Sequence, residues 1–131
     1  MNKSEITNSA ELFLYKGTVD LNSARYLLSG YEHNHLNIDI EKIYFELQQC
    51  AEKLLKSILS KQSIKFPKSH DIEQLIDLCF DNSIILNDEI KTLIELSDYA
   101  VESRYSIIHD DINESQKYIR ILEKMSRDIK L

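Results

Sequence analysis

Several side chains in this sequence have types and spacings that can do chemistry, and a run of lysines is the most conspicuous. Lys53, Lys56, Lys61, Lys65 and Lys68 make residues 51–70 the basic segment of the chain, with five basic side chains against one acidic. Ammonium groups along one edge can hold the phosphates of RNA or of a nucleotide. The plainer alternative is a solvated helix face balanced by residues 71–111, where eleven acidic side chains stand against two basic ones, and the charge pattern favours it. Only Phe66 is interleaved with the lysines, so no platform for stacking bases stands out.

Gln48 and Gln49 can read a base edge, or bond to a neighbouring helix or a second protomer, and the second use is the commoner. His33 and His35, two apart, would need further ligands to hold a metal, and no cysteine or second histidine pair stands nearby, so they read as an exposed loop. His70 falls where a helix begins, as a structural first-turn residue or as a phosphate contact at a helix N-terminus. Gly17 and Gly30 are the two glycines, which excludes a glycine-rich phosphate loop and nucleotide hydrolysis of that class. No cofactor and no metal is expected.

The elements that position these residues follow from apolar periodicity. Ala10, Phe13, Leu14, Gly17, Leu21, Ala24 and Leu28 recur at steps of three or four and predict a helix over about 8–29. Asn8 with Glu11 resembles a capping box, Gly30 offers a stop, and residues 31–36 read as a loop. Ile40, Ile43, Leu47, Cys50, Leu54 and Ile58 predict a central helix over about 39–62, capped by Asn37 or Asp39 and stopped between Ser63 and Pro67. Ser69 is the expected cap of a short helix over about 70–81. Asn87 opens a fourth helix that ends between Arg104 and His109, and a fifth covers about 114–129. The expected fold class is all-α, an antiparallel up-and-down bundle of four main helices plus one short helix.

Composition agrees. A chain of 131 residues with 43% hydrophobic and 29% charged side chains fits a single helical domain, residues 1–131, and one proline with two glycines is too little punctuation for many short strands. A net charge of −6 gives no global attraction to nucleic acid or an anionic membrane, so such binding needs a local patch. Cys50 and Cys79 sit within apolar helical patterns and read as buried free thiols. No apolar run approaches a membrane span and no charged-then-apolar leader opens the chain, so the expected location is cytoplasmic, with no membrane partner.

With the helices placed, Phe45-Glu-Leu-Gln-Gln-Cys-Ala-Glu-Lys-Leu-Leu-Lys-Ser-Ile-Leu59, Lys68-Ser-His-Asp-Ile72 and Tyr99-Ala-Val-Glu-Ser-Arg-Tyr105 together resemble the HEPN domain (higher eukaryotes and prokaryotes nucleotide-binding). Thr18 to Leu28 also resembles the first helix of that family, so the likeness runs from about Ala10 to Ile129. It implies a helical bundle, often a homodimer, and in many members a metal-independent endoribonuclease or toxin. Several members pair with a minimal nucleotidyltransferase. The family's nuclease motif is Arg, four to six residues, then His, and Arg104-Tyr-Ser-Ile-Ile-His109 fits it.

Arg104 and His109 are thereby the candidate catalytic pair, and their chemistry suits metal-free RNA cleavage. An imidazole titrating near neutrality can move a proton, and a guanidinium fork can clamp phosphate oxygens. Residues five apart lie about 140° apart around an ideal helix. Either the helix ends between them or they meet their equivalents in a second protomer. Tyr105, Glu102, Gln49, Lys53 and His70 are candidate binding residues for phosphate or a dimer cleft, while Tyr99 and Tyr105 serve packing equally well. Two departures from the family pattern matter, the first counting against nuclease activity and the second against control by a partner's modification. Tyr105 follows the arginine, where active toxins usually carry a small polar or charged residue and the nucleotidyltransferase-associated group has tyrosine. Asp111 occupies the place of a tyrosine that some toxins have modified by their partner. The expected function is binding of, or action on, RNA or nucleotides, with a non-catalytic nucleotide- or protein-binding module as the alternative.

Overall fold

The computed structural model of the chain describes residues 2–33, 37–99 and 114–131. A short 3-10 turn at Lys3–Glu5 leads into α1 (Ser9–Glu32), α2 (Ile40–Lys61), α3 (Ile72–Asp81), a long 3-10 helix (Asp88–Tyr99) and α4 (Glu114–Asp128). The described residues contain no strand, and the all-α bundle expected from the sequence is what forms.

Local chemistry explains most boundaries. Asn8 caps α1 by accepting from the Glu11 backbone N–H at 2.9 Å, and Asp39 caps α2 the same way from Glu41 at 3.1 Å. The Glu11 carboxylate reaches one residue further back than a capping box requires, accepting from the Thr7 backbone N–H at 2.9 Å and the Thr7 hydroxyl at 2.7 Å. Three sequence expectations are corrected. Gly30 does not stop α1: it is buried inside the helix, no glycine has positive φ, and the chain stays helical to Glu32 because its last turn still packs on the core through Leu28 and Tyr31. Ser69 does not cap α3. Asp71 does, and Ser69 Oγ instead accepts from the Asp71 N–H at 3.0 Å. His70 therefore lies ahead of the helix rather than in its first turn.

The α1–α2 seam is the tightest packing in the molecule. Ala10, Gly17 and Ala24, seven residues apart, present little side chain to α2 and let its leucines approach. A Cβ built on Gly17 would stand 3.1 Å from Leu54 Cδ2. The buried Ser57 hydroxyl donates to the Ala10 carbonyl at 2.7 Å, and Lys53 meets Asp20, so the two helices run antiparallel. α2 is central: Ile43, Tyr44, Leu47, Cys50, Leu54, Leu55 and Leu59 are all fully or almost fully buried. At about 1.5–3 kcal/mol for each large side chain taken from water, this one helix supplies much of the burial that holds the fold together.

The chain after α2 does not simply fold back as the next antiparallel helix. Residues 62–71 travel back along α2 until the His70 carbonyl accepts from Gln48, and α3 then runs parallel to α2. On the way Phe66 packs edge-to-face on Phe13, ring centroids 5.8 Å apart. The 3-10 helix is antiparallel to α3, with Ser97 Oγ accepting from the Ile72 N–H at one end and Lys91 over the Phe80 ring at the other. α4 closes the bundle antiparallel to the 3-10 helix, joined by the Tyr118 hydroxyl donating to Glu95 and by Tyr118 against Tyr44.

Candidate functional site

The buried face of α2 carries one polar row. Gln48, Glu52 and Lys56 stand four residues apart, so all three project the same way, toward the returning segment 62–71. Glu52 is only 4% exposed, and a carboxylate at that depth needs partners. It has three. Lys56 Nζ donates to Oε1 at 2.6 Å, Gln48 Nε2 donates to Oε2 at 3.2 Å, and His70 Nδ1 lies 3.2 and 3.1 Å from the two oxygens. Burial alone pushes the Glu52 carboxyl up, but the Lys56 ammonium, the His70 ring and the Gln48 amide outweigh it and hold the group below the usual carboxylate range.

Gln48 uses every polar atom it has. Its amide nitrogen donates to Glu52 and, at 3.1 Å, to the His70 carbonyl, and its Oε1 accepts from Gln49 Nε2 at 2.7 Å. The His70 side chain is 64% exposed although its Nδ1 faces a buried carboxylate. A carboxylate only accepts, so Nδ1 is the donor in that contact and Nε2 is left for another partner. The arrangement is a carboxylate-oriented imidazole at the surface of the bundle.

The structure brings Gln49 and His70 into this cluster and leaves Lys53 out of it. Lys53 projects to the other side of α2, where its Nζ lies 2.5 Å from Asp20 Oδ2 across the α1 seam. Burial pushes the Asp20 carboxyl up, and Lys53 works against that. Lys53 and Lys56 are thus each engaged by a carboxylate, but by Asp20 and Glu52 rather than by the acidic region 71–111 expected to balance them. Arg104, His109, Tyr105 and Glu102 lie outside the described residues. Glu52 was missed from the sequence, although a polar residue every fourth position on an otherwise apolar helix face, 48, 52 and 56, was a legible signal. Among the described residues no group of three histidine, cysteine or acidic side chains is placed to hold a metal ion, and no helix is long and apolar enough to cross a membrane.

Comparison with known proteins adds two findings. A family model described as HEPN domain matches residues 10–130. The crystal structure of an archaeal HEPN homologue superposes with a TM-score of 0.63 at 23% sequence identity, covering 92% of this chain and 94% of that one, a likeness of fold. Among curated proteins, none matches the sequence.

Proposed function

Because this chain belongs to the HEPN domain family, matched over residues 10–130, we propose that it acts as one such domain on RNA, as a metal-independent endoribonuclease. The observation that carries the reading is that Arg104-x4-His109, the spacing of the family's nuclease motif, falls inside the matched span. In the proposed reaction His109 accepts the proton of a ribose 2′-hydroxyl as its oxygen attacks the adjacent phosphorus. The P–O5′ bond breaks, a proton reaches the leaving 5′-oxygen, and the products are a 2′,3′-cyclic phosphate and a 5′-hydroxyl. Arg104 balances charge on the phosphate oxygens. HEPN domains commonly dimerise. A homodimer would supply a second copy of the pair, and a minimal nucleotidyltransferase is the proposed protein partner. The Gln48–Glu52–His70 cluster favours a second reading, a non-catalytic nucleotide-binding module in which His70 Nε2 contacts phosphate.

The test is incubation of the wild type, His109→Ala and Arg104→Ala with total RNA and tRNA in chelator. New fragments ending in cyclic phosphate, absent with both variants, are expected. Intact RNA with the wild type, in a preparation shown to be dimeric, would remove the nuclease reading for those RNAs and leave the binding module.

A further inference from the structure

α4 carries a second basic row that the lysine run of α2 overshadows in the sequence. Lys117, Arg120, Lys124 and Arg127 follow one another at steps of three, four and three and so share one helix face. Lys117 is engaged by Glu114 at 2.6 Å and Glu95 at 3.8 Å. Arg120, Lys124 and Arg127 are exposed, and none of them has an ion pair among the described residues. They line a groove of about 550 Å³ between α4 and the 3-10 helix, with Ile121 and Thr92 among its other walls. Two carboxylates also face it. Glu123 is held by Arg25 at 3.3 Å, which among the described lining residues leaves Glu89 as the acid opposite three cations.

In a chain of net charge −6, three adjacent exposed cations with no ion pair among the described residues form a local positive patch that a polyanion can occupy. Residues 120 to 127 span about 10 Å at 1.5 Å per residue, a row along which each of the three cations can meet a phosphate of a strand. Two arginines add forked donors suited to phosphate oxygens. The groove also runs up to Lys117, in the first turn of α4.

We propose that Arg120, Lys124 and Arg127 form a surface that holds about three consecutive phosphates of an RNA strand. The proposal rests on the RNA reading above for the identity of the polyanion, and on the unpaired cations for the surface itself. It also reassigns the phosphate-binding role considered for the lysines of α2, two of which are neutralised by Asp20 and Glu52.

The probe is a fluorescein-labelled, fully 2′-O-methylated oligouridylate of about twelve nucleotides. It cannot be cleaved through its 2′-oxygen, so binding is read apart from catalysis. Anisotropy is measured in chelator over a series of KCl concentrations with the full chain. Replacing all three residues by glutamine in Arg120→Gln/Lys124→Gln/Arg127→Gln is expected to weaken binding about tenfold or more at low salt. It should also lower the slope of log affinity against log salt by about 2, since each phosphate contact to a single strand contributes about 0.7. Arg120→Lys/Arg127→Lys, which keeps the charge, should retain most of both, and circular dichroism should be unchanged for these exposed positions. Equal affinity and slope for wild type and triple variant would overturn the proposal, as would no binding by the wild type. Binding of polyglutamate as tight as that of the RNA would overturn it in favour of an acidic protein partner. Salt-dependent binding through these residues with no RNA cleavage would uphold the surface while removing the nuclease reading, so the two fail separately.

Discussion

Glu52 is the residue on which the polar interior of the bundle turns. It neutralises Lys56, orients His70 and, through Gln48, ties the returning segment 62–71 to α2. Glu52→Ala leaves the Lys56 ammonium without its acceptor and removes one of the two acceptors of the Gln48 amide, and loss of one partner of a buried pair costs about 3 kcal/mol or more. Urea unfolding should show this, whereas His70→Ala, which removes a mostly exposed ring, should cost about 1 kcal/mol or less. The pH dependence follows from the direction of the shift. A carboxyl held below its usual range stabilises the fold above the unfolded pKa and loses that contribution as pH falls through the folded value. Asp20, pushed up, acts in the opposite sense, losing stability as pH rises through its folded value. Glu52→Gln should therefore flatten the acid limb of the stability curve below about pH 4–5, and an unaltered limb would show that Glu52 does not carry it.

Most helix starts and ends were legible to within two residues, the expected cap at Ser69 and stop at Gly30 being the two that failed. Asn8, Asp39 and Asn87 announce starts because a side-chain oxygen one turn from free backbone N–H groups acts locally, whatever the rest of the chain does. The ends of α2 and α3 fall at the expected stops, Ser63 to Pro67 and the turn-formers Asp81-Asn82-Ser83, and only the left-handed backbone conformation there is one the residue type does not advertise. α2 and α3 both finish in a left-handed serine, Ser63 at φ 57° and Ser83 at φ 62°. Each closes the same pair of bonds: Ile64 N–H to the Leu59 carbonyl with Ser63 N–H to Ser60, and Ile84 N–H to Cys79 with Ser83 N–H to Phe80. Glycine is the usual residue at such a C-terminal position and would have signalled it, whereas the signal at Gly30 proved false. An L-residue there costs about 1–2 kcal/mol, part of which glycine gives back in the flexibility of the unfolded chain. Ser63→Gly and Ser83→Gly should each raise stability by about 0.5–1 kcal/mol, seen as a higher urea midpoint at constant slope. A loss in both would show that the serine side chains matter more than their φ.

At the scale of the whole molecule, composition and periodicity made the all-α class, the central helix and the two buried thiols legible, since each depends only on which residues are apolar and how they repeat. The reversal over residues 62–71 and the parallel α2–α3 pairing were not legible, because a connector without periodicity carries no record of its direction. Nor was the isolation of Arg120, Lys124 and Arg127, which depends on which carboxylates other elements bring near. Cys50 and Cys79 are both fully shielded, and burial pushes the Cys79 thiol up to about 11 and Cys50 higher still. Both should resist a thiol reagent in the native state and react together at a rate that follows global unfolding; rapid labelling of one in native buffer would reveal a local opening. The central position of α2 has a consequence for biosynthesis. When Lys61 has been added to the nascent chain, α1 is the only long helix available to cover α2, and the coverings supplied by α3, the 3-10 helix and α4 are complete only at Asp128. At about 5–20 residues per second, α2 waits roughly 3–13 s before those coverings are complete. The α1 hairpin, zipped through its small residues, is what shelters the emerging chain during that interval, so weakening the Gly17 contact should lower the yield of folded protein from the ribosome more than it lowers the stability of the finished fold.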